Sequence, residues 1–208
     1  MIPRYQKILL VALLIVSIGM SIKLWQLRDR AHKSLLAGET TAPTKAPEVA
    51  PAEQANLVAA NDLDNSLVPQ MHSLPLPADP GARARAVLGK LLDLYAAPDS
   101  THPVPGGAAS VAQVFLMPLP GARAKQASSD QLAVVNLTGT FAASHPSGLE
   151  TESLTVLSIC ATIRANLPNV TEVRFLVDGQ PRPTLAGHAD LTRTYLTADA
   201  TPSEGNRP

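Results

Sequence analysis

Between Leu149 and Gly179 the apolar residues change period once, and that change confines the chain to a helix packed on a sheet. Leu149, Val156, Cys160, Ile163 and Leu167 recur at helical spacing, Leu157 and Ile159 widen the stripe, and Pro168 ends it. Ser147-x-x-Glu150 reads as a capping box at the helix start, and Glu150 and Glu152 fall in the first turn, where the helix dipole favours negative charge. From Thr171 to Val177 the pattern becomes alternation, with Val173, Phe175 and Val177 set against Glu172, Arg174 and Leu176, as in a half-buried strand. Asp178-Gly179 is a hairpin signal. A short return strand is expected from Arg182 to Leu185 despite Pro181 and Pro183.

Upstream segments supply the rest of the layer. Asp79-Pro80 offers an N-cap and a first-turn proline, and Val87, Leu88, Leu91, Leu92 and Tyr95 then form one helical face before Ala96-Ala97-Pro98. Residues 56–60, 67–76, 111–117 and 131–137 read as strands, with Pro69, Pro75 and Pro77 holding the second of these to a sheet edge. The order β-β-α-β-β-α-β-β predicts an α+β domain, a mixed or antiparallel sheet with two helices on one face.

The N-terminus predicts a membrane anchor. Ile8 to Ile22 is uncharged, and Lys23 can snorkel while Leu24, Trp25 and Leu27 extend the run, giving a helix over residues 8–27. A cleavable signal peptide is the competing reading. Lys23, Arg28, Arg30 and Lys33 outnumber Arg4 and Lys7, and a positive-inside count sets this against export of the C-terminal part. Residues 1–37 are thus the anchor and its flank, and residues 38–54, with Pro43, Pro47 and Pro51, form a polyproline-like tether. The folded domain is expected over 55–198 and a polar tail over 199–208.

Chemistry is sparse. Basic and acidic side chains balance at 17 each and aromatics make up 3% of the chain, a poor basis for binding nucleic acid. Cys160 has no partner for a disulfide and sits on a core stripe, where a thiol packs instead of reacting. Asp62-x-Asp64 opens like a calcium loop but lacks its glycine and final glutamate. His188 and Asp190, two apart, are the candidate dyad for catalysis or metal binding, yet no further ligand spacing accompanies them, and His188 reads better as a satisfied turn histidine. Glu150 and Glu152 diverge by about 200° on a helix, so they do not form an acid–base pair. No cofactor, no metal and no enzymatic activity are expected.

The stretch from about Asn56 to Tyr195 resembles the GerMN domain, the family of the bacterial sporulation and spore-germination protein GerM. The resemblance rests on Gln131-Leu-Ala-Val-Val-Asn-Leu137, Phe141-Ala142, Ser147-Gly148-Leu149-Glu150, Val173-Arg-Phe-Leu-Val-Asp-Gly179 and Leu185-Ala-Gly-His-Ala-Asp-Leu191, with Leu67-Val68-Pro69 and the helix through Leu88 upstream. It implies a module on the outer side of the cytoplasmic membrane, tethered by a helix or a lipid, that acts as a scaffold in the cell envelope. With the apolar run over 8–27 as the tether, the expected protein is single-pass with its C-terminal domain outside the cytoplasm. Its partners would be other envelope proteins or further copies of itself, with peptidoglycan binding as the alternative. Glu150, Asp178, Gly179, Gly187, His188 and Asp190 are the residues that carry the family signature.

Overall fold

The computed structural model describes residues 52–119 and 130–200, together with Ser17, Met20 and Lys23. Those last three are helical, and the remainder of the expected anchor helix lies outside the described residues. Among the described residues no helix is long and apolar enough to cross a membrane. Residues 52–119 and 130–200 belong to one compact unit.

The element order is β1 (Ala52–Asn61), β2 (Ser66–Pro75), α1 (Pro80–Tyr95), β3 (Val111–Pro118), β4 (Gln131–Leu137), α2 (Gly139–Ser144), α3 (Leu149–Asn166), β5 (Val170–Val177) and β6 (Tyr195–Leu196). Short 3-10 turns lie at Gly107–Ser110 and Thr197–Ala200. The class is α+β, but among the described residues from 52 onward the strands divide into two sheets and there are three α-helices. One sheet is the antiparallel hairpin β1-β2, and the other has the order β3-β4-β5-β6. In the second sheet β4 and β5 run parallel, so α2 and α3 form the crossover between them, while both outer pairings are antiparallel.

Several elements follow from local chemistry. The Asp79 side chain accepts from the Ala82 N–H at 2.7 Å and so caps α1, with Pro80 at its first position. Asp178 and Gly179 have φ of 50° and 74°, which builds the tight turn after β5. Beyond it the expected return strand is absent. Gln180 and Thr184 make only isolated bridges, and Pro181 and Pro183 deny the backbone a ladder of donors. The buried turn Thr197–Ala200 runs into the stretch read as polar tail, and Ala200 of that stretch is packed. β1 begins at Ala52, within the stretch read as tether.

α3 is the centre of the core. Its Val156, Ile159, Cys160 and Ile163 belong to the same cluster as Leu88, Leu91 and Leu92 of α1 and Val135, Val173 and Phe175 of the larger sheet. Leu149, expected on that stripe, is exposed instead, at the first position of the helix. The opposite face of α3 is buried but polar. Asn166 accepts from the Asn56 N–H and donates to its carbonyl, and Thr162 accepts from the Val58 N–H at 2.9 Å. The Ala60 N–H goes to the Tyr95 hydroxyl, which in turn donates to Ser158 at 2.7 Å. Residues 56, 58 and 60 of β1 thus turn their backbone groups toward α3, whose side chains stand where a third strand would.

Because even positions of β1 face α3, odd ones face β2, and the register places Leu67, Pro69, Met71, Ser73 and Pro75 on the open edge of β2. On β3 the bond from the Leu119 N–H to Asp130 leaves Val114, Leu116 and Pro118 outward. All three strand prolines therefore occupy positions whose missing N–H costs the ladder nothing.

Replacing Thr162 by Val keeps the shape but leaves the Val58 N–H buried without an acceptor, a loss of about 1–3 kcal/mol. Urea unfolding of T162V should show that decrease, and T162S, which retains the hydroxyl, should lose less.

Candidate functional site

Two polar clusters meet on the N-terminal half of α3. The first is built on Glu152. Residues 186–189 curl across the start of the helix, and Gly187 at φ 128° turns the neighbouring amides inward. Glu152 Oε2 accepts from the N–H groups of Ala186, His188 and Ala189 at 3.0, 2.9 and 2.9 Å. Its Oε1 lies 2.9 Å from His188 Nδ1 and accepts from the Gly148 N–H at 3.2 Å. The side chain is fully buried. Burial pushes its carboxyl up, but the amides of 186, 188 and 189 and the His188 ring outweigh it and hold the group down at about 2.

Glu152 therefore performs the capping expected of Glu150. The N-cap is Gly148, one residue later than the capping-box reading requires, and no side chain caps it from Ser147. Glu150 is exposed. The carboxylate fixes the His188 proton on Nδ1, which turns Nε2 outward on a ring that is 46% exposed. Ser147 Oγ lies 3.5 Å from Nδ1, the nitrogen already engaged, so it is not paired with the free Nε2 as a nucleophile would be with its base.

The second cluster runs through the interior. His102 Nδ1 contacts the Asp62 carboxylate and its Nε2 lies 2.7 Å from Thr155 Oγ1. His145 Nε2 reaches the same hydroxyl at 2.8 Å, and its Nδ1 faces the Pro146 carbonyl, also at 2.8 Å. Burial lowers the His145 ring, partly offset by that carbonyl. The ring is therefore neutral with its proton on Nδ1, since a carbonyl only accepts. The Thr155 hydroxyl, which both Nε2 atoms approach, donates to the Thr151 carbonyl at 3.0 Å. Asp62, His102 and Thr155 have the order of a nucleophilic triad, but His102 and Thr155 are fully buried and no substrate atom reaches the hydroxyl. The set instead locks the β1–β2 turn to α3. Of the two carboxylates in the calcium-like turn, Asp62 serves this network and Asp64 accepts from the Ser66 N–H and hydroxyl.

Surface clefts of about 210, 360 and 440 Å³ are lined by residues of β1–β2, α1 and β3 and of the segments next to them, and none is lined by Glu152 or His188. No group of three metal-binding side chains occurs among the described residues.

Residues 58–183 match the family model Germane, described as sporulation and spore germination. The chain belongs to the Germane family. The match begins inside β1 and ends at Pro183, so it includes Glu152 but not the loop 186–189 that wraps it. No curated protein is similar to the chain at the level that would identify a relative. A 2.5 Å crystal structure of a Clostridium perfringens protein assigned as a lipoprotein is similar at 19% identity, covering 75% of this chain and 95% of that one with a TM-score of 0.37.

Of the six sequence-predicted residues, Glu150 is exposed on α3 and the other five separate into three places. Asp178 accepts from the Gly139 N–H at 2.8 Å at the start of α2, and the Gly179 N–H donates to Asn136 at 2.7 Å. Gly187 and His188 belong to the Glu152 loop. Asp190 is drawn away from His188: its carboxylate accepts from the N–H and hydroxyl of Thr192 at 2.8 and 2.6 Å. The pair read as a dyad is not one; the imidazole's partner is Glu152. Cys160 is buried, and desolvation pushes its thiol up to about 12, which fits packing and not nucleophilic use. Sequence reasoning misses His102, His145, Tyr95, Thr155, Ser158, Thr162 and Asn166, whose only signal is an unusual density of hydroxyl and amide residues on α3.

The depressed Glu152 carboxyl contributes stability that is present above its unfolded value of about 4.3 and lost as the pH falls toward 2. His145, a buried neutral base, opposes the fold as the pH drops below about 6.5. E152Q should be destabilised at pH 7 and should lack the lower transition while keeping the upper one. Denaturant unfolding across about pH 3–8 reads both.

Proposed function

We propose that the chain is a membrane-tethered, non-catalytic contact module of the bacterial cell envelope, held outside the cytoplasm by residues 8–27 and spaced from the bilayer by the proline-bearing tether. Family membership supports an envelope role connected with sporulation or germination. The observation that carries the non-catalytic reading is the commitment of Glu152. Its two oxygens face four backbone N–H groups and one imidazole, so this strongly perturbed carboxylate is a poor base and is spent on holding a loop. Such a body offers partners shape and surface. Its partners in this reading are envelope proteins or further copies of itself.

Reporter fusions to the C-terminus of the full chain test the topology: alkaline phosphatase should be active there and a cytosol-restricted fluorophore dark, and the reverse result removes the envelope reading. Retention of the domain on insoluble peptidoglycan would favour the wall-accessory alternative. His188→Ala should lower the melting temperature together with any cellular function. Lost function at unchanged stability would instead assign the imidazole a chemical role.

A further inference from the structure

The larger sheet has a second face that the core does not use. Its inner face carries Val114, Ala133, Val135, Leu137, Val173, Phe175 and Val177, all within the core cluster. Val134, on the other face, is outside that cluster even though its neighbours shield it to 8% exposure. Beside it on β3 lie Phe115 at 49% and Met117 at 46% exposure, and Leu196 at 50% lies beyond β5, on a face opposite the helices.

The strand registers arrange this face in rows. One row runs Met117, Leu132, Glu172, Leu196 across β3, β4, β5 and β6, and the next runs Phe115, Val134, Arg174 across β3, β4 and β5. Glu172 and Arg174 are therefore adjacent on one side of β5, flanked on β4 by Leu132 and Val134, and neither forms an ion pair among the described residues.

We propose that this face binds a second copy of the chain, sheet on sheet, about a two-fold axis that lies in the interface and crosses β5 at Val173. Such an axis reverses the strands and brings the first row of one copy over the second row of the other. Met117 then meets Phe115 of the other copy, Leu132 meets Val134, and Glu172 meets Arg174, each contact occurring twice. A methionine against an aromatic ring, two aliphatic side chains and an ion pair are all favourable neighbours. The other in-plane axis, along the strands, would stack Glu172 on Glu172 and Arg174 on Arg174, so charge selects the antiparallel arrangement. Strand and residue spacings give a contact of roughly 300–400 Å² in plan, below the ~800 Å² per partner of stable complexes, so the dimer is a weak one. This deepens the reading of the domain as a contact module by naming its partner, and it is tested apart from the membrane topology.

Sedimentation equilibrium of the full chain in mild detergent, carried to about 1 mM protein, should show a reversible monomer–dimer equilibrium. E172R and R174E, each placing like charges face to face twice per dimer, should each weaken association by about tenfold or more, and the double variant E172R/R174E should return it to within about threefold of wild type. Circular dichroism melts confirm that the variants, which lie outside the core, keep their fold. A strict monomer at the highest concentration, single variants that associate as wild type does, or a double variant no better than the singles would each overturn the proposal. A monomer that still copurifies with other envelope proteins would overturn the dimer and leave the contact-module reading standing.

Discussion

The fold depends on one side of α3, where Thr155, Ser158, Thr162 and Asn166 line up at spacings of three and four residues and complete the hydrogen bonding of a strand and a turn. Without them the N–H groups of Asn56 and Val58 would be buried against a helix with nothing to accept them, each costing about 1–3 kcal/mol, and the Tyr95 hydroxyl that accepts from Ala60 would lose its own acceptor, Ser158. With them, a two-stranded hairpin too small to be stable alone becomes part of the same core as the larger sheet. The helix is consequently buried on two sides by different means, apolar toward α1 and the sheet and polar toward β1.

That duality explains which parts of the fold are legible in the sequence. α1 has a single apolar face, a capping aspartate and a proline at its start, so propensity, period and caps agree. Strands 131–137 and 170–177 alternate or run apolar and are also plain. On α3, hydroxyl and amide residues read as a solvent face, because period alone cannot say that a strand about 100 residues earlier will cover them. The two buried histidines are hidden for the same reason: His102 sits in a proline-rich loop and His145 before a proline, and their shared partner Thr155 is in a helix.

Glu152 illustrates a finer failure. The capping-box rule depends on a serine or threonine at the N-cap, and Ser147 points to Glu150. The chain enters the helix one residue later, at Gly148, which has no side chain to offer, so the carboxylate one half-turn on reaches back. The loop 186–189 then supplies further donors that no local pattern announces. The Gly-His-x-Asp segment does stand out in the sequence as a unit, yet its geometry follows from a residue more than thirty positions away. Pairing His188 with Asp190 fails because Thr192 offers the aspartate a closer partner.

Pro69, Pro75 and Pro118 share a property that bears on how such a body behaves when crowded. Each lies on an outward-facing rung of a border strand. A neighbouring hairpin seeking to zip alongside would find gaps in the row of amide hydrogens, so an endless cross-strand ribbon cannot propagate from either border. These imino rings act as terminators of polymer growth through the strand edges.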